Sequence, residues 1–184
     1  MSVQTRRYTV EEFDQFAELP ENADKLFEYI GREIVEVPSN PYSSNIATRL
    51  IRRLSTYVED RDLGYVTTEA GGYMVSGERY APDVAFISKA KQPQLAMRGY
   101  NPNPPDLAVE VDFPSTYQSQ ENLRIKVTNY LAAGTVVWIV RPDTKVVEEH
   151  APGKPFRRVG IDGALDGGDM LPDFTLAVKE IFPD

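Results

Sequence analysis

The sequence predicts an α/β fold with a mixed central β-sheet flanked by α-helices. Short runs rich in β-branched and aromatic residues alternate with longer segments whose apolar side chains recur every three or four positions. Between residues 106 and 140 a strand, a helix and a second strand follow in order, which implies a right-handed crossover between parallel strands. With 184 residues, 41% of them hydrophobic, the chain can bury a core, and we predict one domain over residues 1–184.

The composition excludes several classes of chemistry. Because the chain has no cysteine, it offers neither a thiol nucleophile nor a cysteine-bound metal, and a histidine-based triad would depend on His150 alone. Catalysis would therefore rest on carboxylates, lysine, tyrosine and a metal that prefers oxygen ligands. The net charge of −8 argues against nonspecific nucleic-acid binding over the whole surface, since such binding needs cations that meet phosphates.

No segment of the sequence indicates a membrane or a secretion pathway. No stretch approaches the roughly 18 uncharged apolar residues of a membrane helix. The first residues also lack the apolar core of a signal peptide. We therefore expect a cytoplasmic protein with no membrane partner.

Local signals mark most of the predicted elements. Thr9 and Glu12 have the spacing of a capping box at the start of the first helix. Gly31-Arg32 is a two-residue turn between hairpin strands, and Gly64 closes the second helix. Four prolines within residues 89–105 predict a long surface loop, a feature that is unusual in a compact domain unless it has a function.

In chain order, the sequence predicts a helix at 10–19, a β-hairpin at 26–30 and 33–37, a helix at 45–62, a meander of strands at 66–69, 73–75 and 84–87, the loop at 89–105, a strand at 106–112 stopped by Phe113-Pro114-Ser115, a helix at 119–133, a central strand at 136–140, edge strands at 145–150 and 156–161, and a helical turn at 176–182.

Acidic residues interrupt two of the predicted strands. Asp83 follows Pro82 at the start of one strand, while Glu110 and Asp112 lie two positions apart on a later strand and so share a face. Burying a carboxylate without a partner is costly. One solution is a divalent cation held by Asp83 and Glu110 from adjacent strands. The alternative is that Asp83 is a turn residue and that an arginine pairs with Glu110.

Several motifs extend in order along nearly the whole chain. They are FEYIGREIVE at 27–36, APDVAFIS at 81–88, PDLAVEV at 105–111, RIKVTNYLAAG at 124–134 followed by VWIV at 137–140, and LPDF at 171–174. Together they resemble the Uma-type endonuclease family, formerly a domain of unknown function. Asp83, the Glu110-Val111-Asp112 run and Lys126 are also similar to the motif of the wider PD-(D/E)xK nuclease superfamily.

This resemblance implies a restriction-endonuclease-like core and a metal-dependent nuclease that cuts DNA with Mg²⁺ or Mn²⁺. It assigns Asp83 and Glu110 as metal ligands, and Lys126 as the catalytic lysine, moved from the strand to the following helix. Glu28 is an additional acid that enters the site from the N-terminal hairpin. Because restriction-type enzymes often work as symmetric pairs, the resemblance also implies a homodimer.

Two positions depart from the family pattern. Asp112 stands where such proteins usually carry an apolar residue. It either binds the metal, or contacts a residue that binds the metal, or weakens the site by repulsion. The run at 41–44 lacks the histidine that this loop commonly carries.

Other interpretations remain open from the sequence alone. Lys126 is alternatively an ordinary exposed cation, and Glu28 a cross-strand partner of a nearby arginine. The apolar stripe of the helix at 119–133 consists of Leu123, Val127, Tyr130 and Leu131. If Lys126 is catalytic, its amine should lie off this stripe and point towards the acids. At the level of the whole protein, the alternatives are a catalytically silent relative that binds nucleic acid or protein, and a metal-dependent hydrolase of a smaller phosphate ester.

Overall fold

The computed structural model describes residues 6–37, 40–113 and 116–183. Its elements are α1 (Val10–Ala17), β1 (Phe27–Ile30), β2 (Glu33–Glu36), α2 (Pro41–Asp60), β3 (Gly64–Thr68), β4 (Tyr73–Val75), β5 (Glu78–Tyr80), β6 (Val84–Ser88), β7 (Leu107–Val111), α3 (Tyr117–Ala132), β8 (Val136–Arg141), β9 (Val146–His150), β10 (Arg157–Val159), β11 (Ala164–Asp166) and β12 (Thr175–Ala177). Single 3₁₀ turns lie at Pro20–Asn22 and Val178–Glu180. None of the described helices combines the length and the apolar character needed to cross a bilayer.

A six-stranded mixed sheet forms the centre of the fold, as predicted. Its strand order is β10-β9-β8-β7-β6-β3, in which β7 and β8 are parallel and the other neighbouring pairs are antiparallel. Helix α3 connects the parallel pair, which confirms the predicted order of strand, helix and strand. A second sheet, β2-β1-β5-β4, contains the N-terminal hairpin, and β11 pairs with β12.

The two faces of the central sheet are covered by different elements. Because side chains alternate along a strand, Phe86 and Trp138 pack on one face against Leu50 and Leu54 of α2. The C-terminal segment adds to this cluster through Leu171, Phe174, Leu176, Val178, Ile181 and Phe182. On the opposite face, Ala108 belongs to a cluster with Tyr130 of α3 and residues of the second sheet. Because Asp83 and Glu110 are adjacent in sequence to Val84 and Val109, which pack on the first face, their side chains point to this second face.

Helix α2 differs from its prediction at both ends. It begins at Pro41, four residues before the predicted start, because Asn40 caps it by accepting a hydrogen bond from the Ser43 amide at 2.9 Å and proline suits the first turn. The left-handed residue that closes the helix is Asp62, with φ of 53°, rather than Gly64. Gly64 instead begins β3. The predicted capping box of α1 is present.

One further prediction about strands was wrong. β4 does not form a meander with β3 and β6, because it pairs with β5, a strand that was not predicted, and β5 joins the N-terminal hairpin in the second sheet. The tail predicted as a helical turn at 176–182 does contain a 3₁₀ turn, Val178–Glu180, but it begins with the end of strand β12. The stop predicted after β7 includes residues 114–115, which lie outside the described residues.

The loop predicted at 89–105 contains no helix or strand. It is anchored by the buried Asn101, whose side chain accepts hydrogen bonds from Gln92 Nε2 at 2.7 Å and from the Ala96 amide at 3.0 Å. The Asn101 backbone exchanges hydrogen bonds with Gly72 and Met74 beside β4. The loop is therefore tied to the second sheet at Asn101.

Candidate active site

The register of two strands brings the acids at 83 and 110 together. β6 and β7 are antiparallel with Val84 opposite Val109, so Asp83 and Glu110 are the next facing pair. Directly opposite residues of an antiparallel pair have neighbouring side chains on one face. Asp83 lies just before β6, and its Oδ2 accepts a hydrogen bond from the Val111 amide at 2.6 Å. The backbone of one strand thus fixes the acid of the next.

Lys126 joins two of the predicted acids. Its ammonium donates to Oε1 of Glu28 at 2.7 Å and to Oε2 of Glu110 at 2.8 Å. The amine also lies 5.7 Å from the centre of the Tyr80 ring, within range of a cation–π contact. Lys126 is 5% exposed, so it is not the ordinary surface cation that the sequence left open.

The amine reaches the acids from the buried face of α3. The sequence analysis expected Lys126 off the apolar stripe, but Leu123, Lys126 and Tyr130 are the buried residues of this helix. Val127, which was assigned to the stripe, is only partly buried. The difference arises because the row of α3 that contains Lys126 faces Glu28 of β1 and Glu110 of β7, and these two carboxylates compensate its charge.

Glu28 is placed by the N-terminal hairpin. It lies on β1, where all four residues are buried, and its Oε1 accepts a second hydrogen bond from the Ala81 amide at 2.7 Å. The partners of Glu28 are therefore Lys126 and the Ala81 amide, and not the arginine that the alternative interpretation required. Since Ala81 lies two residues before Asp83, Glu28 also ties the segment that carries Asp83 to the hairpin.

These four side chains line one cavity of about 420 Å³. The first turns of α2 and α3 form part of its wall, through Ser43 and Ser119. Helix N-termini carry partial positive charge, which favours an anion in the cavity. Where Asp83, Glu110, Glu28 and Lys126 line the cavity, acidic groups outnumber the single positive charge, and this region favours a cation. The cavity therefore combines a region that attracts cations with a wall that tolerates a phosphate.

Burial and mutual repulsion change the protonation of the acids. Burial raises the pKa of Asp83 from 3.8 to about 6, although the Val111 amide and the Lys126 charge oppose the change. Burial, with the charges of Glu28 and Asp83, also raises the pKa of Glu110. Burial disfavours the charged amine of Lys126, but the carboxylates of Glu110 and Glu28 outweigh this effect and raise its pKa.

Asp112 lies past the end of β7 and has a strong partner. Because Val111 pairs with Val140 in parallel register, Asp112 lies beside Arg141, and the two side chains form an ion pair. Gln120 Nε2 donates to the same carboxylate at 3.3 Å. Asp112 also lines the cavity, so its role as a ligand stays a prediction. Arg141 explains how the fold accommodates the unusual acid.

Two residues next to the acids were not predicted from the sequence. Tyr130, interpreted as part of an apolar stripe, is fully buried and its hydroxyl donates to Glu110 Oε1 at 3.3 Å. A buried tyrosine hydroxyl needs a partner, and that requirement was an available signal. Arg141 ends an apolar strand, but its pairing with Asp112 depends on the register of β7 against β8, for which the sequence holds no signal.

Two of the acids suit a divalent metal of the hard, oxygen-binding kind. Mg²⁺ is usually held by one or two carboxylates together with water and substrate phosphates. Asp83 and Glu110 supply such a pair, and no described residue donates a hydrogen bond to Oδ1 of Asp83. No group of three or more acids or histidines converges as a metal cage within residues 6–37, 40–113 and 116–183. The donors therefore fit a site completed by substrate.

The mixed sheet, the crossing helix and the strand-end acids define the restriction-endonuclease-like fold class. The family Uma2, described as "Putative restriction endonuclease", matches residues 10–179, and the chain belongs to this family. A solved structure with the same fold is that of a putative nuclease belonging to DUF820, from Anabaena variabilis. It has a TM-score of 0.79 and 20% sequence identity, and the match covers 95% of this chain and 97% of that one. No curated protein matches the sequence.

Proposed function

We propose that the protein is an endonuclease that hydrolyses phosphodiester bonds in DNA and depends on Mg²⁺ or Mn²⁺. The observation that carries this proposal is the meeting of Asp83, Glu110, Glu28 and Lys126 in one cavity, from four separate segments of the chain. Membership of a family described as restriction endonucleases supports the reaction class, and so does the likeness to a structure described as a nuclease. A homodimer in the cytoplasm belongs to the same proposal, by analogy with paired restriction enzymes.

The cavity would hold the metal through Asp83 and Glu110. When bound there, Mg²⁺ or Mn²⁺ would polarise a phosphoryl oxygen and lower the pKa of a water molecule. The acids of Asp83, Glu110 and Glu28 face the single positive charge of Lys126, so a divalent ion would stabilise the ionised forms that burial disfavours in Asp83 and Glu110.

Lys126 contributes a fixed positive charge beside the acids. Among the described residues the carboxylates of Glu28 and Glu110 are its ion-pair partners, and since an ammonium has three N–H donors, one can turn to a water molecule or a phosphate oxygen. A preorganised charge of this kind stabilises the negative charge that develops on the phosphoryl group. Glu28 keeps the amine in place through its second hydrogen bond, to the Ala81 amide.

One observation favours a second candidate, a catalytically silent relative. Lys126 already neutralises both Glu28 and Glu110, so these residues also satisfy one another as a buried structural cluster. In that case the cavity would bind nucleic acid or a protein without chemistry.

Thermal melting and plasmid cleavage, each with and without Mn²⁺, separate the two candidates. For the enzyme, Mn²⁺ at about 100 times its Kd should stabilise the fold by about 2.7 kcal/mol, which is roughly 5–10 °C in Tm. Asp83→Asn and Glu110→Gln should abolish this shift and lower cleavage at least about 100-fold. Glu121→Gln, which removes a surface partner of Arg124 on α3, should change neither quantity. Absence of both the shift and cleavage in the wild type would support the silent relative.

A further inference from the structure

Exposed aromatic side chains are concentrated at the mouth of the candidate active site. Tyr42 is 39% exposed and Phe113 is 41% exposed. Their rings contact each other with centroids 6.0 Å apart and planes at 72°, an edge-to-face pair. This contact holds two large apolar surfaces in one place although neither is buried.

The pair is continuous with the catalytic cavity. Phe113 lines that cavity together with Asp83, Glu110 and Lys126. Tyr42 lies in the first turn of α2, next to Ser43, which also lines it. The aromatic pair is thus adjacent to the acids and to the space that a scissile phosphate would occupy.

A third exposed aromatic residue begins the other helix at this cavity. Tyr117 is 78% exposed and is the first residue of α3, two positions before Ser119 in the cavity wall. Three of the seven exposed large hydrophobic side chains among the described residues are therefore aromatic and belong to segments that border this cavity. Clustering of this kind usually marks a surface that binds something.

We propose that Tyr42 and Phe113 form a stacking platform for an unpaired nucleobase next to the scissile phosphate. The substrate class would then be single-stranded DNA, or a duplex with unstacked bases at the site. Every base has a π-face that stacks on an aromatic ring, whereas in a regular duplex both faces are already covered by neighbouring bases. The edge-to-face contact keeps the two rings next to each other. This inference rests on the proposed function, since it takes the cavity as the place of phosphodiester hydrolysis.

Binding of fluorescent oligonucleotides tests the platform without any cleavage. Anisotropy titrations of the full chain would use a 12-nucleotide dT strand and a blunt 12-bp duplex, in EDTA and again in Ca²⁺. The single strand should bind more tightly than the duplex. Tyr42→Ala and Phe113→Ala should each weaken single-strand binding about 5- to 100-fold, the range expected when a stacking partner is lost. Tyr42→Phe, which keeps the ring, should retain binding.

The matched control is Phe156→Ala. Phe156 is 54% exposed and stacks on His150, but it does not line the cavity, so its loss should leave binding unchanged. Melting curves check that each variant is folded. Equal affinity of the wild type and both alanine variants for dT, or absence of dT binding in both buffers, would overturn the platform. The platform would also be overturned if an alanine variant changed the sedimentation coefficient but not the affinity for dT, since the pair would then serve self-association.

Failure of the platform is distinguishable from failure of the proposed function. If Mn²⁺-dependent cleavage occurs but the alanine variants bind dT normally, the platform is wrong and the nuclease stands. If the alanine variants lose dT binding but the wild type cleaves nothing, the platform stands as a binding site of a silent relative.

Discussion

At the scale of single residues, the site depends on one buried ammonium. Lys126 compensates Glu28 and Glu110, each of which is less than a tenth exposed. Burying one charge without partners costs several kcal/mol, so these three side chains are stable only as a group. The same group that suits catalysis is therefore also part of the structural core.

Removing the ammonium should destabilise the fold strongly. We expect Lys126→Met to lower the free energy of unfolding by about 3–5 kcal/mol, because it leaves two buried carboxylates facing each other. Urea unfolding at pH 7 measures the loss. Adding Glu110→Gln to the same chain should recover part of it, since one of the two charges is removed. Lys154→Met, at an exposed position, should have no effect, and an equally small effect of Lys126→Met would contradict the pairing.

Asp83 gives the stability a dependence on pH. Its pKa is raised from 3.8 to about 6 in the folded state, so folding favours the protonated form. This stabilisation is fully present below pH 3.8 and is lost as the pH rises through 6. Asp83→Asn keeps the shape without the charge, and should therefore be more stable than the wild type at pH 8, by at most about 3 kcal/mol.

Melting curves from pH 4 to pH 8 without metal measure this difference. The advantage of Asp83→Asn should shrink to nothing as the pH approaches 4, where the wild-type carboxyl is protonated. A variant that melts below the wild type at pH 8 would show that the carboxylate itself is stabilising.

At the scale of elements, strand register decides which predicted residues meet. The sequence predicted the acids on β6 and β7 because charged residues inside apolar runs are a local signal. It did not show that Lys126 and Glu28, 98 positions apart, form an ion pair, because that contact requires α3 and the hairpin to pack on the same face of the central sheet. It also could not place β4, which is compatible with either sheet, and it gave no signal for β5.

A close backbone approach fixes the register of β3 against β6. Gly64 pairs with Ser88, and a Cβ atom added at Gly64 would lie 2.1 Å from the carbonyl oxygen of Ile87. We expect Gly64→Ala to cost about 1–3 kcal/mol, since the two strands would have to separate. Gly160→Ala is the matched control, because a Cβ there meets nothing within 4 Å. Chemical denaturation of both variants tests the difference, and equal stabilities would contradict the close approach.

At the scale of the whole molecule, the C-terminal segment completes the core on the α2 face. The family match ends at residue 179, but Ile181 and Phe182 are still buried against the central sheet. A local pattern could not have indicated this, since the tail contains no long periodic run. The segment packs on the face of the sheet opposite the candidate site and adds to the core there.

Truncation tests whether this tail is required for folding. A chain that ends at residue 170 loses six buried apolar side chains, each worth about 1.5–3 kcal/mol, which together are as large as the usual stability of a whole domain. We expect it to show no cooperative thermal transition by circular dichroism. A control chain that ends at residue 182 should melt as the full chain does. A cooperative transition in the shorter chain would show that the first 170 residues fold without the tail.

The contact between Lys126 and Glu28 has a consequence for how the molecule opens. The hairpin is attached to the rest of the fold partly through this ion pair and through the Glu28 bond to the Ala81 amide. If the hairpin detached alone, Lys126 would lose one of its two carboxylate partners. Glu28 would in turn lose Lys126, the only ammonium that lines the described part of the cavity. Partial opening at this point therefore carries an electrostatic penalty that complete unfolding avoids, because water then solvates every charge. The charged cluster makes unfolding more cooperative, and amide exchange in β1 should follow global unfolding rather than local fraying.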